Sequence, residues 1–184
     1  MSFEVDGRRI RRVLIYGVTG SGKTTLAERL AGISGLPWHS VDDLTWEPGW
    51  IAVPEDEQRR RISTICDGDE WLLDTAYGLW RDIPLARVEL IVALDYPRML
   101  SLWRLVRRSV MRAIDKKPIC NGNIETWRTM FSKSSIIAWH FKSFGSKKKR
   151  IAGWSDKPEG RIVVRIRKPR DLEEWLARID DRRP

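Results

Sequence analysis

The sequence predicts an α/β fold in which short strands of a parallel sheet alternate with helices, and three observations carry that expectation. A glycine-rich turn, Gly17-Val18-Thr19-Gly20-Ser21-Gly22-Lys23-Thr24, satisfies the pattern G-x-x-x-x-G-K-[ST] between an apolar run at 13–16 and a helix-forming stretch that begins Leu26-Ala27-Glu28. Four further strand candidates follow at 38–41, 71–74, 90–95 and 161–166, separated by stretches with helical spacing of apolar residues. Three of these four lead into acids, Asp42, Asp74 and Asp95, at the edge where open α/β sheets bind ligands.

Taken in order, residues 1–10 read as a polar lead-in, and 13–16 as the kind of strand buried on both faces of a parallel sheet. The following helix buries Leu26, Leu30 and Ile33 and stops near Gly35 and Pro37. The second strand, 38–41, delivers Asp42 and Asp43. Residues 45–53 hold Trp46, Pro48, Gly49 and Trp50, a loop that either walls an acceptor pocket or is clamped by tryptophan packing. Pro54 opens a helix with Glu55, Asp56 and Glu57 at its positive end.

After the strand at 71–74, residues 75–78 turn away, and the strand at 90–95 ends in Asp95, which orders the turn before Pro97. A helix from Pro97 sets Arg104 and Arg108 one turn apart on one face, a spacing that suits two phosphate groups or a solvated basic face. Residues 113–126, with Pro118 and Asn121-Gly122-Asn123, read as a mobile connection to helices carrying Trp127, Phe131, Trp139 and Phe141, and the segment of about 109–150 as a lid. A strand at 161–166 and a last helix, with Asp171 and Glu174 as its capping box, complete the chain.

The residue types in the glycine-rich turn fit an anion cradle. Gly17, Gly20 and Gly22 allow backbone conformations closed to other residues, so that N–H groups, including those of Thr19 and Ser21, turn toward phosphate oxygens at a helix N-terminus. Lys23 reaches β- and γ-phosphates, the Thr24 hydroxyl suits Mg²⁺, and Thr25 is a candidate for the α-phosphate. Asp74 is the expected partner of the metal's water shell.

The 184 residues suit one domain spanning 1–184, with no linker dividing it. No apolar run is long enough for a membrane span and no signal-peptide core stands at the N-terminus, so the expected setting is cytoplasmic, without a membrane partner. Cys66 and Cys120 form neither a metal-binding pair nor a disulfide framework, and His39 and His140 lack ligand spacing. The net charge of +9 would attract polyanions and allows a nucleic-acid surface without favouring one, since no RNA-binding or helix-turn-helix pattern is present. The cations concentrate in Arg104, Arg107, Arg108, Arg112, Lys116 and Lys117, and again in Lys147-Lys148-Lys149-Arg150, where they answer phosphate charge or form a solvated helix end.

These motifs together resemble the nucleoside-monophosphate-kinase branch of P-loop folds. Leu72-Leu73-Asp74 resembles the third-strand acid motif of adenylate kinases, and Asp95-Tyr96-Pro97 with Arg104 and Arg108 resembles their D-x-P segment and lid arginines. Ser40-Val41-Asp42-Asp43-Leu44-Thr45-Trp46 with Pro48 and Trp50, and Leu94-Asp95-Tyr96-Pro97-Arg98, are similar to bacterial adenylate-kinase-like proteins, also described as topology modulation proteins. The resemblance implies a three-layer P-loop NTPase fold with a five-stranded parallel sheet of order 2-3-1-4-5 and a helical lid. It implies a kinase using ATP and Mg²⁺, with Arg104 and Arg108 against nucleotide and phosphates.

The acceptor half departs from that pattern. Where adenylate kinases carry G-F-P-R after the third-strand acid, this chain has Thr75-Ala76-Tyr77-Gly78, with Arg81 the nearest substitute, and the segment after the second strand has Thr45 and Trp46 in place of an arginine. The expectation is an ATP-dependent phosphotransferase, monomeric or weakly dimeric, acting on a nucleoside monophosphate or a small hydroxyl compound. Lys23, Asp42, Arg104 and Arg108 are its catalytic candidates, and Asp42, Trp46 and Arg81 its acceptor contacts. The alternative is a nucleotide-binding regulator that acts on nucleic acid.

Overall fold

A computed structural model describes residues 3–115, 121–123 and 136–180. Five parallel strands make the central sheet: β3 (Arg12–Gly17), β4 (Trp38–His39), β7 (Trp71–Leu73), β8 (Leu90–Leu94) and β9 (Ile162–Ile166). Across the sheet they run β4-β7-β3-β8-β9, which in chain order of these five is 2-3-1-4-5. The glycine-rich turn therefore leaves the middle strand, with β7 on one side and β8 on the other, where the order of the strands along the chain reverses, the switch point at which such sheets bind ligands.

Alternation along the strands divides the core into two layers. Val13, Ile15, Leu72, Leu90, Val92 and Leu94 pack with Leu26 and Leu30 of α1 (Lys23–Ser34) and with Trp175, Leu176 and Ile179 of the terminal helix Pro169–Asp180. Leu14, Tyr16, Leu73, Ile91 and Ala93 face the other way, onto Ile62 of α3 (Glu55–Asp67), Trp80, and Ile151 of the long helix Ile136–Asp156. Each such side chain, fully buried, contributes about 1.5–3 kcal/mol. Helices on both faces of a parallel sheet give the three layers.

Several elements differ from the sequence reading. Residues 1–10 are no mere lead-in: β1 (Glu4–Val5) and β2 (Arg8–Arg9) form a ribbon that carries Phe3, Val5 and Ile10 into the core. Its turn is Asp6-Gly7, both with positive φ, the backbone a two-residue hairpin needs. The second strand ends at His39, and Val41–Thr45 is a short helix, α2, so Asp42 and Asp43 sit in a first helical turn and not on a strand end. Acids are favoured there by the helix dipole. The tryptophan-rich stretch is a ribbon of β5 (Trp46–Glu47) and β6 (Ile51–Ala52), with Gly49 and Trp50 at positive φ in its turn.

The cap of the terminal helix is displaced by one turn from the expected position. Pro169 opens this helix, and the Asp171 carboxylate reaches back to accept from the Lys168 backbone N–H, while Glu174 pairs with Arg170. The helix after Pro97 is α5 (Arg98–Asp115). Of the proposed lid, Lys116, Lys117, Pro118, Cys120, Trp127 and Phe131 lie outside the described residues. Among the described residues no helix is long and apolar enough to cross a membrane.

Candidate active site

The cradle is held from behind by α5. A Cβ on Gly20, whose φ is +80°, would stand 2.3 Å from the Ser101 carbonyl oxygen and 2.9 Å from Leu105 Cβ, and a Cβ on Gly17 would stand 2.9 Å from the Leu94 carbonyl oxygen. Only glycine fits this approach. Gly22, at φ +91°, caps α1 without a side chain, so the N–H groups of the first helical turn have no competing side-chain oxygen. An anion is the ligand such an end accepts. The Lys23 ammonium donates to the Val18 carbonyl at 3.3 Å.

Asp74 ties the cradle to the second strand's exit. Its Oδ2 accepts from the Thr24 hydroxyl at 3.2 Å and its Oδ1 from the Val41 N–H at 3.0 Å, the first residue of α2. One residue on, Asp42 is half-buried and its Oδ1 accepts from the Tyr77 hydroxyl at 2.5 Å. The Trp46 indole acts on that same hydroxyl, opposing the upward push of burial and of the Asp42 charge. Thr24 and Asp74 are hard oxygen donors in contact with each other, the donor set a Mg²⁺ ion takes beside phosphates.

Four cations surround these carboxylates. The Lys147 ammonium, on a residue only 8% exposed, donates to the Gly17 carbonyl at 3.1 Å and lies 5.6 Å from the Tyr16 ring centre. Arg150, three residues on, donates to the Tyr16 hydroxyl at 2.5 Å. Arg104 stacks its guanidinium over Tyr96, 5.3 Å from the ring centre, within 4.0 Å of the position a Cβ on Gly22 would take. Arg108 acts electrostatically on Lys23.

Crowding of like charges in a buried place shifts these groups. Burial pushes Lys23 below the usual lysine range, with Arg108 adding to the effect and Asp42 and Asp74 opposing it. Lys147 is pushed down to about 7 by burial and by the charges of Lys23 and Arg150. Burial and the Asp42 charge push Asp74 up, against the Val41 N–H, Lys23 and the Thr24 hydroxyl. Phosphate charge arriving in the cradle would stabilise the protonated lysines.

The remaining candidates are distributed around this centre. Thr19, Ser21 and Thr25 belong to the turn and to the first turn of α1, with Ser21 buried and Thr25 exposed. Arg81, at the start of α4 (Asp82–Arg87), acts on Lys147 through its charge. Trp46 is half-buried and meets Trp50 edge-on, ring centres 6.0 Å apart. Asp95 does not join the cradle: its carboxylate is held by Arg165 at 2.7 Å and Lys148 at 3.3 Å, which locks the turn before Pro97 to β9 and the long helix.

Sequence reasoning missed three contributors. Lys147 looked like part of a basic run, yet it occupies the buried side of its helix with His140, Ser143, Phe144 and Ile151, a spacing that marks it as the charged member of a core-facing stripe. Tyr77 stands three residues after Asp74 in a turn read only as a departure. Asn121 and Asn123 clasp the tryptophan ribbon. Asn121 Nδ2 donates to the carbonyls of Asp43 and Trp46, both at 2.8 Å, while Asn123 accepts from the Trp50 N–H at 2.7 Å and donates to the Glu47 carbonyl at 3.1 Å.

No family model matches the chain, and no curated protein does. Solved structures do. A gluconokinase from Sinorhizobium meliloti 1021 is similar over 95% of this chain and 96% of its own, at 17% identity and a TM-score of 0.51. A sugar kinase from Janibacter sp. HTCC2649 is similar over 94% of this chain and 91% of its own, at 17% identity and a TM-score of 0.48. The likeness to the gluconokinase, with the sheet order and the glycine-rich turn, gives this chain the fold of the P-loop kinases.

Proposed function

We propose that the chain is an ATP-dependent phosphotransferase whose acceptor is a small hydroxyl compound. One observation carries the acceptor half: Asp42, a carboxylate, directly follows Val41, whose N–H donates to the Asp74 of the Asp74–Thr24 pair beside the phosphate cradle, on a segment with no arginine between Arg29 and Arg59. A hydroxyl nucleophile must lose a proton and gains from such a carboxylate, whereas a monophosphate needs cations. The similar fold of a gluconokinase agrees with a hydroxyl acceptor. The inward use of Lys147 and Arg150 favours an enzyme over a nucleic-acid surface, because these cations are spent on the cradle.

In this reading the glycine-rich turn and the open end of α1 bind the ATP phosphates. Thr24 and Asp74 would hold Mg²⁺, whose charge offsets that of the phosphates. Lys23 lies along the β- and γ-phosphates, and Arg104 and Arg108 approach from α5. Asp42 takes the acceptor's hydroxyl proton as the acceptor oxygen bonds to the γ-phosphorus and the bond from that phosphorus to the ADP oxygen breaks, the electron pair leaving with ADP. Closure of the segment around 109–150 over the site would exclude water and limit hydrolysis.

The test is ADP formation from ATP across a panel of polyols, sugars, sugar acids and nucleoside monophosphates, for the parent and for Asp42→Asn. Turnover of a hydroxyl acceptor should fall by roughly two to four orders of magnitude in the variant, with ATP binding unchanged. Normal turnover of a monophosphate by Asp42→Asn, lost instead in Arg81→Ala, would restore a monophosphate kinase. No ADP with any acceptor would overturn the phosphotransferase.

A further inference from the structure

The Asp42 carboxylate is not left to orient itself. Its Oδ1 accepts from the Tyr77 hydroxyl at 2.5 Å, and that phenol is held by edge-on packing against Trp80, ring centres 5.7 Å apart, with the Trp46 indole acting on its hydroxyl. Three elements meet in this contact: α2 carries Asp42, the β5–β6 ribbon carries Trp46, and the turn after β7 carries Tyr77. Among the described residues none donates to Asp42 Oδ2. A half-buried carboxylate whose one oxygen is engaged by a phenol and whose other oxygen accepts from none of the described residues offers a directed acceptor of a proton at the second oxygen.

We propose that Tyr77 is the positioning residue of the proton-accepting carboxylate, holding Asp42 Oδ1 so that Oδ2 alone faces an acceptor hydroxyl. The inference rests on the phosphotransferase reading and assigns Tyr77 no contact with substrate. Its consequence for the acceptor is chemical: the hydroxyl proton is received at Oδ2 while Oδ1 remains with the phenol. The Tyr77 hydroxyl stays a donor throughout the neutral range, because burial and the Asp42 charge push its pKa well above that of a free tyrosine.

A double-mutant cycle with Tyr77→Phe and Asp42→Asn tests this, read as kcat and KM for the acceptor identified in the ADP screen. The phenylalanine keeps the ring on Trp80 and removes only the hydroxyl. Tyr77→Phe should lower kcat about tenfold with KM for ATP unchanged, the size of one hydrogen bond to a charged group. In the Asp42→Asn background the same change should cost nothing further, because no proton acceptor is left to position. A purely structural tyrosine would lower activity by the same factor in both backgrounds, and that additivity, or full activity in Tyr77→Phe, overturns the proposal while leaving the phosphotransferase standing. An inactive parent overturns both. Should Tyr77→Phe fail to fold, Trp46→Phe removes the indole that acts on the phenol hydroxyl and should show the same non-additivity at about two- to threefold; additivity there is equally decisive against the proposal.

Discussion

The ammonium of Lys147 lies 3.1 Å from the carbonyl oxygen of Gly17, joining the buried side of the long helix Ile136–Asp156 to the last residue of the central strand. A lysine in that position costs stability, since its charge is taken out of water and set near Lys23 and Arg150. The charge has a use only when phosphates arrive.

That cost makes stability depend on pH in a definite direction. Lys147 is lowered from the ordinary 10.5 to about 7 in the folded chain, so between these values the unfolded chain holds a proton that the folded chain has released. The contribution of this group to stability therefore rises with pH across that window, and the penalty is present in full below about pH 7. Lys147→Met removes the titration. Its stability relative to the parent should be highest below about pH 7 and should fall, by on the order of 2 kcal/mol, by about pH 9. Denaturant unfolding of both proteins across this range checks it, and a difference that does not vary with pH contradicts it.

Lys23→Ala isolates the cradle's charge. The side chain makes a 3.3 Å bond to Val18 and contributes no core area, so the variant should keep its fold by circular dichroism. ADP formation should fall at least about a hundredfold, as for the loss of one preorganised contact to migrating charge. Parental turnover would sink the kinase assignment.

Gly20→Ala should act through the backbone. The added methyl group would meet the Ser101 carbonyl and Leu105, and the residue would have to hold a φ of +80°. Strain and overpacking together should cost about 2–4 kcal/mol, measured by denaturant unfolding, and should weaken ATP binding because α5 can no longer close on the turn. A loss below about 1 kcal/mol would show that the loop relaxes.

The sheet was legible because its information is local. Unbroken apolar runs at 13–16 and 90–95 name buried strands, and Gly17 to Thr24 names the turn between strand and helix. The acceptor side was less legible because its contacts cross long stretches of chain: Asp42 meets Tyr77 and Asp74 meets Val41 over separations that no local pattern encodes. Residues 38–41 look extended, yet Val41 turns into a helix because its N–H is claimed by Asp74. The run at Lys147 to Arg150 was misleading for another reason, since composition counts charges and only helical phase tells which one points inward.

The asparagine clasp should matter for the tryptophan ribbon that carries Trp46 and Trp50. Asn123 is buried and bonds the Trp50 N–H and the Glu47 carbonyl, so its amide ties both sides of the ribbon's turn together. Asn123→Ala removes both of these hydrogen bonds at a buried side chain, a cost of about 1–3 kcal/mol. The turn of the ribbon should then loosen, and because the Trp46 indole acts on the Tyr77 hydroxyl, the effect should reach Asp42 and leave the cradle intact. We expect KM for the acceptor to rise several-fold with KM for ATP unchanged, and faster amide hydrogen exchange at Trp50. Protection at Trp50 equal to that of the parent, with both KM values unchanged, would show that the ribbon is held by its own strand pairing.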